Sequence, residues 1–471
     1  MGNETKTIEK NKITEGSIWK NMLGYFWALL LGAFFQQFYN TVDAIIVGKA
    51  VGSDALAAVG GSAAMVVSLF VGFFMGLSSG ATVVIAQFYG AGRREEVKKA
   101  VHTAIAMSIA GGALITIIGF FISNWIIGVM KTPVEVIEAS TVYLRIYFVG
   151  MIANLIYNMG AAILRAVGDS KRPLYVLIIS CFVNIVLDVF FVIVLGLGKL
   201  GITQGVIGVA VATVMCQVIS AVIIVVMLMR SENSYKLILR EIGIDGQMLS
   251  RIIRIGFPAG VQTTMYTLSN ILIQASINEF GKDATAAWAA YGKIDVLFWM
   301  TISSLGTSVT TFAGQNFGAG KYDRVRSSTR QGFIIASIIT IPLSIVLYFW
   351  GKGFLYVFVN DENVINIGIQ MIKFLAPFYF MYIGVEIFSG VLRGMGSALV
   401  PMLITLSGIC LLRVSWILIA FPVNRTIEMV EVSYPITWMT TSVLFLIYYV
   451  YYVRRHKIKG TATDRNKEIS K

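Results

Sequence analysis

Apolar residues gather in twelve runs, at about 20–48, 55–86, 97–124, 134–164, 173–198, 204–229, 253–278, 284–314, 330–351, 364–392, 400–423 and 432–453, parted by short charged or Gly/Pro-rich breaks. Each run meets or exceeds the ~20 residues that a helix needs to cross bilayer hydrocarbon. The pattern predicts an all-α polytopic membrane protein with twelve transmembrane helices and no large soluble domain. The first ~17 residues are polar and the first run is longer than a signal-peptide h-region, so the N-terminus is expected to stay in place as a retained anchor.

An internal repeat organises the runs. Gln87-Phe88-Tyr89-Gly90-Ala91-Gly92 recurs 228 residues later as Gln315-Asn316-Phe317-Gly318-Ala319-Gly320. The same shift carries Leu164-Arg165 onto Leu392-Arg393, Gly168 onto Gly396 and Pro173 onto Pro401. Because that shift spans six helices, an even number, both copies face the same way and are related by an axis along the membrane normal. The expected organisation is a cytoplasmic tail (1–19), a first lobe of six helices (20–230), a cytoplasmic linker (231–252), a second lobe of six helices (253–455) and a basic tail (456–471), with a central cleft between the lobes.

Composition agrees: 56% of the 471 residues are hydrophobic and 13% charged, with mean hydropathy +0.76. The net charge of +13 raises the question of a nucleic-acid partner, and the placement of the 38 Lys and Arg answers it. Assigning alternate breaks to opposite sides puts 28 on the side of both termini, 7 on the other, and 3 (Arg145, Lys373, Arg413) within spans. By the positive-inside rule both termini are cytoplasmic, the charge is topological, and no nucleic-acid partner is expected. Arg145 and Lys373 share one depth in the two copies, where snorkelling to the outer headgroups is favoured over a role in outer gating.

Several chemistries are excluded. Cys181, Cys216 and Cys410 all lie in apolar runs without a CxxC spacing and read as small core residues. No GxxxxGK[ST] occurs, so energy comes from an ion gradient or a partner. The GxGxxG string at Gly196, Gly198 and Gly201 falls in a short outer loop and lacks a βαβ context. With only His102 and His456, a His-based metal site or triad is ruled out, and an enzyme is not expected. Gly72, Gly76 and Gly80 have the small-xxx-small spacing of close helix packing.

Carboxylates inside spans are the informative residues, since each costs about 2.5–3.5 kcal/mol at a helix centre. There are four: Asp43, Asp188, Asp295 and Glu386. At 1.5 Å per residue, Asp188 lies roughly 24 Å from the cytoplasmic end of its helix, with Asn184 one turn below on the same face. Thr213 lies roughly 26 Å in on the next helix, and Asp43 is also in the outer half. Asp43, Asn184, Asp188 and Thr213 can therefore meet in the first lobe. They supply hard oxygens for a cation of the Na⁺ kind, as stated for Ca²⁺ and Mg²⁺, or a carboxylate pair that loads and releases a proton. The repeat places Ile271, Leu412 and Trp416 opposite Asp43, Asn184 and Asp188, so the cluster belongs to one lobe. Asp295 and Glu386 are secondary candidates, Glu386 being only about 10 Å from the cytoplasmic face. Gln36, Tyr39 and Asn40, with Asn154 and Asn158, are the expected cleft residues. Met and aromatic walls with one or two carboxylates suit bulky organic cations.

Gln36-Gln37-Phe38-Tyr39-Asn40-Thr41-Val42-Asp43, the doubled Gln-x-x-Gly-Ala-Gly, Leu164-Arg165-Ala166-Val167-Gly168-Asp169 with its copy at 392–397, and Asn184-x-x-x-Asp188 together resemble the multidrug and toxic compound extrusion (MATE) transporters, most of all the DinF-type and MepA-type branch. The likeness covers about residues 15 to 455. It implies a twelve-helix, two-lobe antiporter of the plasma (inner) membrane that exports organic cations in exchange for Na⁺ or H⁺, acting as a monomer and without a cofactor beyond the coupling ion. It carries the first-lobe cation site onto Asp43, Asn184, Asp188 and Thr213. Other branches place acidic ligands in the second lobe, where this chain has no acid between Phe257 and Asn278 and has Glu386 deeper toward the cytoplasm. The alternative is a flippase for a lipid-linked or amphipathic substrate.

Overall fold

The computed structural model describes residues 11–130 and 132–458. The first ten residues of the N-terminal tail, Lys131, and the basic tail beyond 458 lie outside the described residues. Every predicted run is helical, and no strand occurs among the described residues. We number the helices α1 (Ile18–Ala50), α2 (Ser53–Gly90), α3 (Arg94–Val129), α4 (Val134–Val149 and Met151–Ala166), α5 (Lys171–Val194), α6 (Ile202–Met229), α7 (Gly246–Asn278), α8 (Lys282–Gly318), α9 (Tyr322–Leu355), α10 (Glu362–Gly394), α11 (Leu399–Ile419) and α12 (Ile427–Arg455).

Ten of these are individually long and apolar enough to span a membrane, and the two pieces of α4, bent by 50°, make an eleventh. Helix α7 has the length, 33 residues, but not the apolarity: Arg251, Arg254, Gln262, Thr263, Thr264, Thr267 and Asn270 interrupt it. One face of it packs closely against α2. Gly76 lies against the backbone of Gly260, and Gly80 against Ile252 and Gly256, so a side chain at either position would meet backbone. The glycine stripe thus does what its spacing predicts, letting two helix backbones touch.

By contact, the chain divides into two compact units. One comprises residues 27–85 and 93–268, the other 1–26, 86–92 and 269–471. In the first, α4 bends at Gly150, where a Cβ would strike Val214 of α6, and Tyr143, Tyr147, Phe148, Val206, Val209 and Ala210 build the outer core. The predicted linker is docked on α3 in this unit: the Ile238 amide donates to His102 Nε2 (3.0 Å), the Asp245 amide donates to Thr103 Oγ1 (3.1 Å), and Lys98 pairs with Glu241 at 2.6 Å. That arrangement gives His102 a structural occupation.

Candidate functional site

Asp43 sits seven residues before the end of α1, and Asp188 six before the end of α5. Both are therefore about 10 Å inside the C-terminal ends of their helices. Their carboxyl groups are close neighbours that interact electrostatically. Asn184 and Asp188 are 1% and 0% exposed. Both oxygens of Asp188, Oδ1 of Asp43 and both amide heteroatoms of Asn184 lack a hydrogen-bond partner in the protein.

That combination has a chemical meaning. Two ionised carboxylates are acceptors only, so their contact requires a shared proton or a cation between them. A buried polar atom left unsatisfied costs about 1–3 kcal/mol, more when charged, and here three carboxylate oxygens and, one turn away on α5, the Asn184 amide lack protein partners. The local backbone is also irregular: immediately after Asp188, α5 passes into a π-helical segment, Val189–Val194. Such segments are frequent at functional positions, and a second one, Leu406–Leu411, lies in α11.

The pair sits among tyrosines. Tyr39 lies close enough to Asp43, and Tyr143 to both carboxylates, for direct electrostatic interaction. The Tyr143 and Tyr147 rings are 6.1 Å apart. Thr213 turns its hydroxyl to its own helix, donating to the Val209 carbonyl at 3.0 Å. One turn further along α6, Gln217 adjoins the Tyr147 hydroxyl and has a buried Oε1 without a partner. A polar seam continues inward between α5 and α6, with Ser180 and Ser220 hydroxyls 2.5 Å apart and Cys216 Sγ 3.2 Å from the Ser180 carbonyl. Of the expected cleft residues, Gln36 and Asn40 are exposed and Tyr39 half-buried. Asn154 and Asn158 join each other, Asn158 Nδ2 donating to both the carbonyl and the side-chain oxygen of Asn154 at 2.9 Å.

In the second unit Asp295 is already provided for. One oxygen accepts from Tyr379 Oη at 2.6 Å, the other from Trp299 Nε1 at 2.6 Å. Tyr291 adds a hydroxyl contact to Tyr379 at 3.0 Å, and the Phe298 and Tyr379 rings stack at 4.1 Å. A carboxylate with its donors in place inside a filled aromatic shell is an anchor for α8, α10 and α12. Tyr379→Phe is therefore expected to lower the thermal stability of the detergent-solubilised protein by about 1–3 kcal/mol, the cost of one orphaned buried acceptor, without altering its response to the coupling ion. Glu386 packs against Gly306, where a Cβ would collide with its carboxylate. Two further buried charged residues lie in this unit: Arg413, 3% exposed, with its guanidinium 4.1 Å over the Tyr434 ring and Nη2 donating to Thr437 Oγ1 at 3.2 Å, and Glu431, 1% exposed with one oxygen unpartnered. The predicted run began at 432, which left Glu431 outside it. Among the described residues no three His, Cys, Asp or Glu side chains converge, so a cation at Asp43 and Asp188 would complete its shell with amide, hydroxyl or carbonyl oxygens.

Comparison with known proteins gives a consistent picture. The MatE family model matches the chain twice, over residues 28–190 and 258–419, one match to each copy of the repeat. The chain is 29% identical over 466 residues to the probable multidrug resistance protein YoeA of Bacillus subtilis, covering 97% of this chain and 99% of that one. It is 26% identical to the probable multidrug resistance protein YpnP of the same organism, covering 85% and 88%. Among solved structures it resembles a MOP superfamily transporter from Pyrococcus furiosus (TM-score 0.88, 22% identity, 96% of this chain and 99% of that one). It also resembles an outward-facing multidrug resistance transporter of the MOP superfamily (TM-score 0.86, 22% identity, 96% and 99%).

Proposed function

Since the chain belongs to the MatE family of multidrug resistance transporters, we propose that it is a secondary antiporter of the plasma membrane, both termini cytoplasmic, exporting organic cations in exchange for Na⁺ or H⁺. The observation that carries this reading is the contact between the Asp43 and Asp188 carboxyl groups with no protein donor to Asp188. In our reading Asp43 and Asp188 hold the coupling ion, Asn184 contributes its amide oxygen, and Gln217 and Thr213 line the α6 side. Tyr39, Asn154 and Asn158 line the approach for substrate, with Gln36 and Asn40 at its exposed edge. The names of the curated relatives support a drug-like substrate.

Coupling follows from differential binding: the ion favours one arrangement of the helices and the substrate the other, so each weakens the other. The test is ethidium binding to purified protein, followed by fluorescence anisotropy, with Na⁺ titrated at constant pH and pH varied without Na⁺. One of the two ions is expected to weaken ethidium binding at least about tenfold. Equal ethidium affinity with and without either ion would overturn the proposal. A companion measurement concerns stability. Whichever ion binds should raise the melting temperature of the wild type by an amount equivalent to about 2.7 kcal/mol at a hundred times its dissociation constant, and should leave Asp43→Asn unmoved.

A further inference from the structure

We propose that the two copies of the Gln-x-x-Gly-Ala-Gly motif form the cytoplasmic gate by crossing each other through glycine, and that the chain's own segment 11–16 is the latch that holds the gate shut. The inference rests on the transport reading and goes beyond it, because it concerns residues remote from the carboxylate pair.

The crossing is reciprocal. A Cβ at Gly90 would run into the Gln315 carbonyl, and one at Gly318 into the Gln87 carbonyl. Gln87 Nε2 also donates to the Gly394 carbonyl at 2.8 Å, and a Cβ on Gly396 would lie 3.3 Å from the same nitrogen. The last turn of α2 (86–92) thereby belongs to the same compact unit as α8 and α10, although residues 53–85 of the same helix belong to the other; α1 divides likewise, between 26 and 27. Both divisions fall at the cytoplasmic ends. Backbone touching backbone, joined by few side chains and by hydrogen bonds that water can replace, is a contact that can part and re-form without repacking a core.

The latch is polar and one-sided. A single turn, Lys12–Glu15, has Ile13 and Thr14 buried. Arg324 Nη2 donates to the carbonyls of Ile13 (2.8 Å) and Gly16 (2.7 Å), Lys321 Nζ to that of Thr14 (3.0 Å), and Asn11 Nδ2 to Gln315 Oε1 (3.0 Å). Arg324 Nε is itself steered by Asn316 Oδ1 at 3.1 Å. Asn11 thus bonds the side chain of the residue whose carbonyl Gly90 faces. In the first copy the places of Asn316 and Arg324 are taken by Phe88 and Glu96, which could make none of these bonds. A device needed only for architecture would be expected in both copies; this one is built once, from groups that water can replace on opening.

The test uses a reporter cysteine, Ala86→Cys, placed in the seal in a full-length chain whose three native cysteines are replaced by alanine. Labelling by a membrane-impermeant maleimide is followed from the cytoplasmic face of inside-out vesicles. Added to that background, Gly90→Ala or Gly318→Ala should raise the labelling rate about tenfold or more, since overpacking strain is confined to the closed state. Arg324→Gln should raise it about threefold. Gly24→Ala, where a methyl group meets nothing within 4 Å, should leave it unchanged. Labelling of Gly318→Ala no faster than Gly24→Ala, in protein that elutes like wild type, overturns the gate. If the glycine variants fail to accumulate, an unchanged rate in Arg324→Gln does so. A wild-type protein that moves no cation but shows these labelling changes would retain the gate and remove the transport reading instead.

Discussion

Asp188→Asn is expected to abolish ion-coupled transport, by at least about a hundredfold, in a protein that remains folded and melts no lower than wild type. The two halves of that expectation come from the same geometry. The wild-type contact sets one acceptor against another, with Asp188 fully buried and unpartnered. An asparagine amide supplies a donor to the Asp43 carboxylate without an ion, replacing a strained contact with a charge-assisted hydrogen bond. The same change removes one of the two carboxyl groups of the proposed ion site. Losing a partner of a buried charge interaction costs about 3–5 kcal/mol, and each 1.4 kcal/mol is a factor of ten. Drug flux and melting temperature measured on one preparation check both. A variant that unfolds would make the pair architectural. Glu386→Gln is expected to have the milder effect, and a dead Glu386 variant beside an active Asp188 variant would reverse the site assignment.

Gly76→Leu is expected to prevent accumulation of folded protein, whereas Gly72→Ala is tolerated. The three glycines on α2 look alike in sequence but meet different neighbours. At Gly72 a Cβ would lie 3.1 Å from a Thr263 methyl group, which can rotate; at Gly76 it would meet the Gly260 backbone. Backbone cannot yield, so a leucine there must separate α2 from α7. Overpacking alone costs about 1–3 kcal/mol, and lost helix contact adds to it, against a typical total of about 5–15 kcal/mol. Yield of monodisperse protein on size exclusion is the readout.

What the sequence disclosed and what it withheld divide along a physical line. The apolar runs, the repeat and the depth of Asp43 and Asp188 are properties of one helix at a time, or of two copies compared, and a rise of 1.5 Å per residue was enough to foresee that two carboxylates 145 positions apart could meet. The bend at Gly150 and the π segment after Asp188 were illegible because both follow from neighbours on other helices. Thr213 shares the depth of Asp188, but depth does not fix rotation about the helix axis, and its hydroxyl satisfies itself on Val209. The hydrogen bonds to Asp295 are likewise illegible in the sequence, because Tyr379 comes from another helix and Trp299 from the next turn of its own. The setting of Arg413 is illegible for the same reason, since only tertiary structure places its guanidinium over Tyr434.

The measurement that bears most directly on the account is flux of ethidium in liposomes holding the purified protein, driven by a Na⁺ gradient at constant pH or by a pH gradient without Na⁺, for wild type and Asp43→Asn. The account predicts movement driven by one gradient in the wild type and none in the variant, and the effective gradient names the coupling ion. Equal gradient-driven movement in both proteins, or none in the wild type under either gradient, would contradict it, and the latter result would turn attention to lipid-linked or amphipathic substrates.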